Sequence, residues 1–125
     1  MNITEKIFAL QEIPLFSQLQ YSELLLITEV TSEGNYPPGK LIVPAGTILQ
    51  KLYIVVNGGV TAKETNKSAP IFGVCSLIFD EPVPYDLKAD SEHGAKALVI
   101  SKGHFFTIIN ECPELVINFL KYPVS

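Results

Sequence analysis

Short apolar segments separated by turn residues begin at Leu41, and they limit the folds that this chain can adopt. The segments 41–43, 52–56 and 60–62 are rich in β-branched and aromatic residues. Glycine, proline and asparagine fill the intervals between them, and Asn57-Gly58 favours the positive φ angles that a tight hairpin needs. Short strands at this spacing, with a further one at 95–100, predict an antiparallel sandwich or barrel.

Helical patterns flank this array of strands on both sides. Apolar residues recur with helical spacing over 3–12, and a second helix is predicted at 22–27 with Ser22 as its cap. Beyond the last strand, helices are predicted at 104–110 and 113–120. The pattern therefore predicts a small α+β domain.

The predicted core is a single interior shared by all four strand segments. The segments that line it are 41–43, 52–56, 60–62 and 95–100. The side chains predicted to pack at its helical end are Leu15, Phe16, Phe105 and Phe119.

Length and charge restrict the functional class. At 125 residues with a net charge of −4, the chain fits one domain, 1–125, with no general attraction to nucleic acids or anionic lipids. No apolar run approaches the roughly 20 residues that a membrane helix needs, so no membrane insertion is expected. The N-terminal sequence lacks the features of a secretory signal. Cys75 and Cys112 form neither a disulfide framework nor a CxxC pair, so we expect a cytoplasmic protein with reduced, structural cysteines.

Catalytic and metal-binding patterns are weak. His93 and His104 lie apart in the sequence without metal-ligand spacing, and no serine, histidine and acid trio suggests a triad. A cupin-like enzyme would need clustered histidine and carboxylate ligands. We therefore expect no metal site, no catalytic residue and no enzymatic activity.

The segment 72–89, FGVCSLIFDEPVPYDLKA, carries the main resemblance to a known family. It is similar to the phosphate-binding cassette of cyclic nucleotide-binding domains, the type found in catabolite activators and protein kinase A regulatory subunits, and we call it the cassette. Segments 13–19, 36–42, 52–60 and 105–115 also resemble that family, in its order and spacing. The resemblance implies an antiparallel β-roll, similar to a double-stranded β-helix or jelly roll, flanked by N- and C-terminal helices.

The family's cassette supplies a glutamate for the ribose 2′-hydroxyl and, about nine residues later, an arginine for the cyclic phosphate. In the ungapped alignment these positions are Val74 and Val83, and Asp86 stands where the family often has threonine. All nine basic residues of the chain are lysines. The residues at cassette positions are Phe72, Gly73, Val74, Ser76, Leu77, Val83 and Asp86. We interpret the site as degenerate, with Val74 and Val83 extending the apolar interior of the roll.

The resemblance implies a regulatory, non-catalytic module for docking a protein partner or a second copy of the chain. Without a side chain to hold the phosphate, cAMP and cGMP are expected to bind poorly, and no cofactor is expected. The expected docking surface surrounds the cassette, with Leu77, Ile78, Phe79 and Val83 partly exposed. The alternative is a sensor of a cyclic nucleotide or another small anion, using backbone N–H groups near Ser76 together with Lys88.

Overall fold

The computed structural model describes residues 1–121, with side chains through Phe119. It contains five helices and eight strands within that range. The helices are α1 Ile3–Gln11, α2 Tyr21–Glu29, α3 Val74–Phe79, α4 Lys102–Glu111 and α5 Glu114–Lys121. The strands are β1 Ser32–Tyr36, β2 Leu41–Val43, β3 Lys51–Gly58, β4 Val60–Ala62, β5 Lys67–Ser68, β6 Ile71–Phe72, β7 Leu87–Ala89 and β8 Ala95–Ser101. Within the described residues, no helix has the length and apolar character needed to cross a membrane.

The strands form two antiparallel sheets of four strands each. The first has the order β1-β8-β3-β6 and the second has the order β2-β7-β4-β5. Every pairing between named strands is antiparallel. The α+β class and the antiparallel β-roll with helices on both sides are thus confirmed.

The first sheet separates two cores, because its side chains alternate between its two faces. On β3, Leu52 and Ile54 pack with the helices, whereas Tyr53 and Val55 pack toward the second sheet. The helical cluster comprises Ile7, Leu10, Leu15, Phe16, Leu24, Ile27, Leu52, Ile54, Ile71, Val74, Leu77, Leu98, Ile100, Phe105, Ile108, Cys112, Leu115 and Phe119. The roll cluster comprises Val43, Leu49, Val60, Ala62, Ala69, Phe72, Val83, Leu87, Ala89 and Ala95.

The prediction of one shared interior was therefore wrong, since a sheet covered on both faces divides the apolar residues between two layers. The four residues predicted for the helical end do lie together in the helical cluster. Phe119 contacts both Phe16 and Phe105, with ring centroids 6.2 and 5.8 Å apart. Each buried phenylalanine contributes roughly 1.5–3 kcal/mol by leaving water.

The Asn57-Gly58 prediction also needs correction. Gly58 has the predicted positive φ, 67°, but β3 and β4 do not pair with each other. The chain instead crosses from the first sheet to the second at this point. The crossing is held by the Gly59 N–H, which donates to the Gly94 carbonyl at 3.1 Å, and by the Asp90 N–H, which donates to the Gly59 carbonyl at 2.8 Å.

Several local elements differ from the sequence-based prediction. Helix α2 begins after Gln20 rather than Ser22, and the Glu23 carboxylate accepts the Gln20 N–H at 2.9 Å. Strand β1 was not predicted, because its sequence SEGNY contains no aliphatic residue. The short strand β7 and helix α3 were also missed, whereas α1, α4 and α5 lie within two residues of their predicted bounds.

Gly58→Ala is expected to lower the free energy of unfolding by about 2 kcal/mol or more. A β-carbon at Gly58 would collide with the Gly94 carbonyl oxygen and would force alanine into a left-handed conformation. The matched control is Gly59→Ala, because a β-carbon there meets no atom within 4 Å. Chemical denaturation that finds the two variants equally stable would contradict the crossing described here.

Candidate functional site

The start of the cassette carries the chain from the roll to the helical layer. Phe72 lies in the roll cluster, where its ring stacks on Tyr53 with centroids 4.7 Å apart and planes 10° apart. Gly73 has a φ of 108°, and a β-carbon there would collide with the Lys51 carbonyl oxygen. Val74 then lies in the helical cluster, 1% exposed. Glycine is therefore required at position 73, where the chain passes from the roll cluster to the helical cluster.

Helix α3 turns its apolar side chains away from the roll. Leu77 is buried in the helical cluster, and the Ser76 hydroxyl donates to the Glu81 carbonyl at 2.6 Å. Phe79 is 55% exposed and Ile78 is half-buried. Because Leu77 and Val83 are both buried, the expected exposed surface of four residues is wrong for these two and reduces to Ile78 and Phe79.

The end of the cassette is closed by a turn from another part of the chain. The Gly46 N–H donates to the Val83 carbonyl at 2.7 Å, and the Val83 N–H donates to the Thr47 carbonyl at 2.8 Å. The Asp86 carboxylate accepts the Ala45 N–H at 2.7 Å. We call these three contacts the 44–47 closure. They hold the turn directly against residues 83–86 of the cassette.

The Val83 side chain lies beneath this closure. It is 2% exposed and belongs to the roll cluster. The expectation that Val74 and Val83 both extend the roll interior therefore holds for Val83 alone. The two residues at the glutamate and arginine positions lie in different apolar layers, because Gly73 diverts the chain before Val74.

The described interior of the roll supplies no charged side chain. Among the residues with described side chains, the buried polar ones are Thr28 and Ser76, and neither belongs to the roll cluster. Tyr36 and Tyr53 border the cluster, and burial raises the pKa of each phenol, so both stay neutral. An anion inside the roll would have to be held without a cationic partner from these residues.

Lys88 lies on the outside of the roll. Its strand neighbours Leu87 and Ala89 are buried in the roll cluster, so the alternation along β7 directs Lys88 to the opposite face. Its cross-strand neighbours are Leu41 and Thr61. The alternative in which Lys88 takes a phosphate inside the roll has no support from this geometry.

Asp86 has a contact that sequence reasoning missed. In the sequence, Asp86 stands at the position where the family often has threonine. The structure shows it as a hydrogen-bond acceptor that fixes a turn whose residues lie some forty positions earlier in the chain. The Pro44-Ala45-Gly46 turn was visible in the sequence, but its partner was not.

The remaining sequence candidates have local structural contacts. His93 lies 3.1 Å from the Asp90 carboxylate, and His104 lies 3.1 Å from the Ser101 hydroxyl. Burial, with the Glu81 carboxylate, raises the pKa of Cys75, which disfavours a reactive thiolate.

A separate open cleft of about 410 Å³ is lined by Asn35, Tyr36, Pro37, Asn57, Gly58, His93, Ala95 and Lys96, and none of these belongs to the cassette.

No protein-family model matches this chain. No curated protein matches it at a significant level.

Solved structures, in contrast, are clearly similar. A structure described as Sp-2Cl-cAMPS bound to PKAR CBD2 gives a TM-score of 0.77 at 14% identity and covers 97% of this chain and 88% of that chain. The regulatory domain of Toxoplasma gondii PKA, co-crystallised with cAMP, gives 0.69 at 15% identity, covering 88% of this chain and 45% of that one. The Thermus thermophilus catabolite activator protein gives 0.70 at 23% identity, covering 86% and 55%. At these identities the likeness shows the fold, and this chain has the fold of a cyclic nucleotide-binding domain.

Proposed function

We propose that this chain is a non-catalytic regulatory or docking module in which the cyclic nucleotide site has been replaced by apolar packing. The observation that carries the proposal is the burial of Val83 beneath the 44–47 closure. A ligand in that space would have to displace Val83 and break the backbone hydrogen bonds that hold the turn.

The chemistry of the ligand supports this proposal. A cyclic nucleotide carries one phosphate charge, and an anion needs charged donors or converging N–H groups. A charge-assisted hydrogen bond contributes very roughly 1.5–3 kcal/mol, so its loss weakens binding about ten- to a hundredfold or more. Here the Gly46 and Val83 N–H groups are already bonded to carbonyl oxygens, and the Asp86 carboxylate adds a negative charge nearby.

The docking half of the proposal rests on α3. Phe79 is a large apolar residue that is 55% exposed to solvent, and Ile78 beside it is half-buried. Exposed apolar surface of this kind marks contact sites when it is contiguous. We infer that a partner protein, or a second copy of this chain, covers Ile78 and Phe79.

Titration with cAMP or cGMP is expected to give dissociation constants in the high micromolar range or weaker. At about 1 mM nucleotide, such a ligand would raise the free energy of unfolding by no more than about 1.4 kcal/mol. A ligand with a dissociation constant of about 1 μM would raise it by about 4 kcal/mol, or more than about 10 °C in melting temperature. Thermal unfolding and calorimetry distinguish these results.

The positive control for that titration is the regulatory domain of Toxoplasma gondii PKA, whose structure was solved with cAMP. A sub-micromolar constant for this chain with either nucleotide would overturn the proposal.

Val83→Arg is expected to destabilise the domain by about 3–5 kcal/mol, because it places an unpaired cation in an apolar interior. It is not expected to gain affinity for cAMP, since Val74, at the ribose position, faces a different layer. Thr61→Arg is the matched control, because Thr61 is exposed on β4. Denaturant unfolding and calorimetry measure both effects. A stable Val83→Arg variant that binds cAMP more tightly than the parent would show that an accessible pocket persists.

Phe79→Ser is expected to reduce self-association or partner binding, because it removes apolar area that the complex would bury. Phe8→Ser is the control, since Phe8 is 63% exposed on α1. Sedimentation at high protein concentration measures the effect on self-association. A strict monomer, together with unchanged partner binding by Phe79→Ser, would count against docking through α3.

A further inference from the structure

Three side chains with metal-binding atoms converge where α2, α4 and α5 meet. Glu23 comes from the first turn of α2, Cys112 follows the last residue of α4, and Glu114 is the first residue of α5. Their ligand atoms all lie within 4.8 Å of one another. The sequence predicted no metal site, because Glu23 is far from the other two in the chain and the Cys112-Pro113-Glu114 segment is not a recognised metal-binding spacing.

The thiol in this group is held in place and buried. Cys112 is 1% exposed. Its N–H donates to the Ile108 carbonyl at 2.8 Å, and its carbonyl accepts the Leu115 N–H at 3.0 Å. The sulfur therefore lies at the junction of α4 and α5, close to the two carboxylates and shielded from solvent.

The two carboxylates approach the thiol from different helices. Glu23 Oε1 accepts the Gln20 N–H at 2.9 Å, and the Glu23 carboxyl also hydrogen-bonds with the side chains of Glu114 and Cys112. The Gln20 N–H, followed by the hydrogen bonds with Glu114 and Cys112, holds the pKa of Glu23 below its ordinary value. Glu114 is exposed and can adjust its side chain.

Among the side chains described through Phe119, neither Glu23 nor Glu114 forms an ion pair with a cationic group. The ion pairs formed by these side chains involve Glu33, Asp80 and Asp90 instead. Burial, followed by the hydrogen bond with Glu23, raises the pKa of Cys112 to about 12. A divalent cation would take the place of the thiol proton and would be attracted by the two carboxylates.

We propose that Glu23, Cys112 and Glu114 form a binding site for Zn²⁺, with water in the fourth position. Zinc accepts thiolate and carboxylate ligands in tetrahedral geometry, at about 2.3 Å from sulfur and about 2.0–2.2 Å from oxygen. Tetrahedral ligands at those distances are about 3.4–3.6 Å apart, so small rotations of the glutamate side chains complete the site. The thiolate selects zinc over magnesium and calcium, which prefer oxygen ligands.

Binding forms a bond between Cys112 Sγ and zinc and releases the thiol proton to solvent, with no change in oxidation state. The metal would tie α2 to the junction of α4 and α5. Because all three helices contribute to the helical cluster, zinc would stabilise the layer that covers the first sheet. This site is independent of the proposed loss of nucleotide binding.

The test is a titration of the tag-free chain with Co²⁺ as a spectroscopic substitute, followed by displacement with Zn²⁺. We expect one equivalent to give a cobalt–thiolate charge-transfer band, and we expect zinc to abolish the band and raise the melting temperature. Cys112→Ser should lose the band. Glu23→Gln, which keeps an acceptor for the Gln20 N–H, and Glu114→Gln should each weaken affinity by at least about tenfold, because even changes to the partners of metal ligands cost that much.

The matched controls are Cys75→Ser and Glu92→Gln, which should bind cobalt as the parent does, because Glu92 is exposed in the turn between β7 and β8. The proposal is overturned if the parent shows no charge-transfer band in excess cobalt, or if Cys112→Ser retains it. Should Cys112→Ser fail to fold, Glu114→Gln decides the question, since it changes an exposed side chain. Unchanged cobalt affinity in that variant would show that these residues do not form the site.

Discussion

The 44–47 closure joins the turn to the end of the cassette, and the proposed loss of a nucleotide site depends on it. Backbone N–H groups of Gly46 and Val83 donate across it, and the Asp86 carboxylate fixes the Ala45 N–H. Val83 is buried, so leaving its N–H unsatisfied would cost about 1–3 kcal/mol and disfavours opening the turn. Ala45 and Gly46 are exposed, so water can replace their bonds at lower cost. Val83 is buried next to the closure and packs with the other apolar residues of the roll cluster.

The cassette packs on both faces of the first sheet and so contacts the roll cluster and the helical cluster. Phe72 packs on one face of this sheet, whereas Val74 and Leu77 pack on the other. Gly73 joins the two faces in a conformation that a residue with a side chain rarely adopts. A partner that docks on Phe79 would therefore act on the helical cluster directly, without a ligand in the roll. The proposed zinc site would stiffen the same cluster from the side of Cys112.

The sequence predicted the elements better than their positions in space. Strand and helix patterns located β3, β8 and α4, because each contains several apolar residues in regular spacing. The same pattern could not assign Val74 to a layer, since that assignment depends on the φ angle of Gly73. Asn57-Gly58 is equally suited to a hairpin and to a crossing between sheets. Contacts between distant segments, such as Ala45 with Asp86, leave no local signal.

The central claim is that the 44–47 closure fills the roll with protein contacts, so that the described part of the roll has no open pocket for a nucleotide. Amide hydrogen exchange at Ala45, Gly46 and Val83 tests it most directly, because these three N–H groups are the donors of the closure. We expect slow exchange at all three amides in the free protein, with rates unchanged by excess cAMP. Fast exchange in the free protein, followed by strong protection when cAMP is added, would contradict the account.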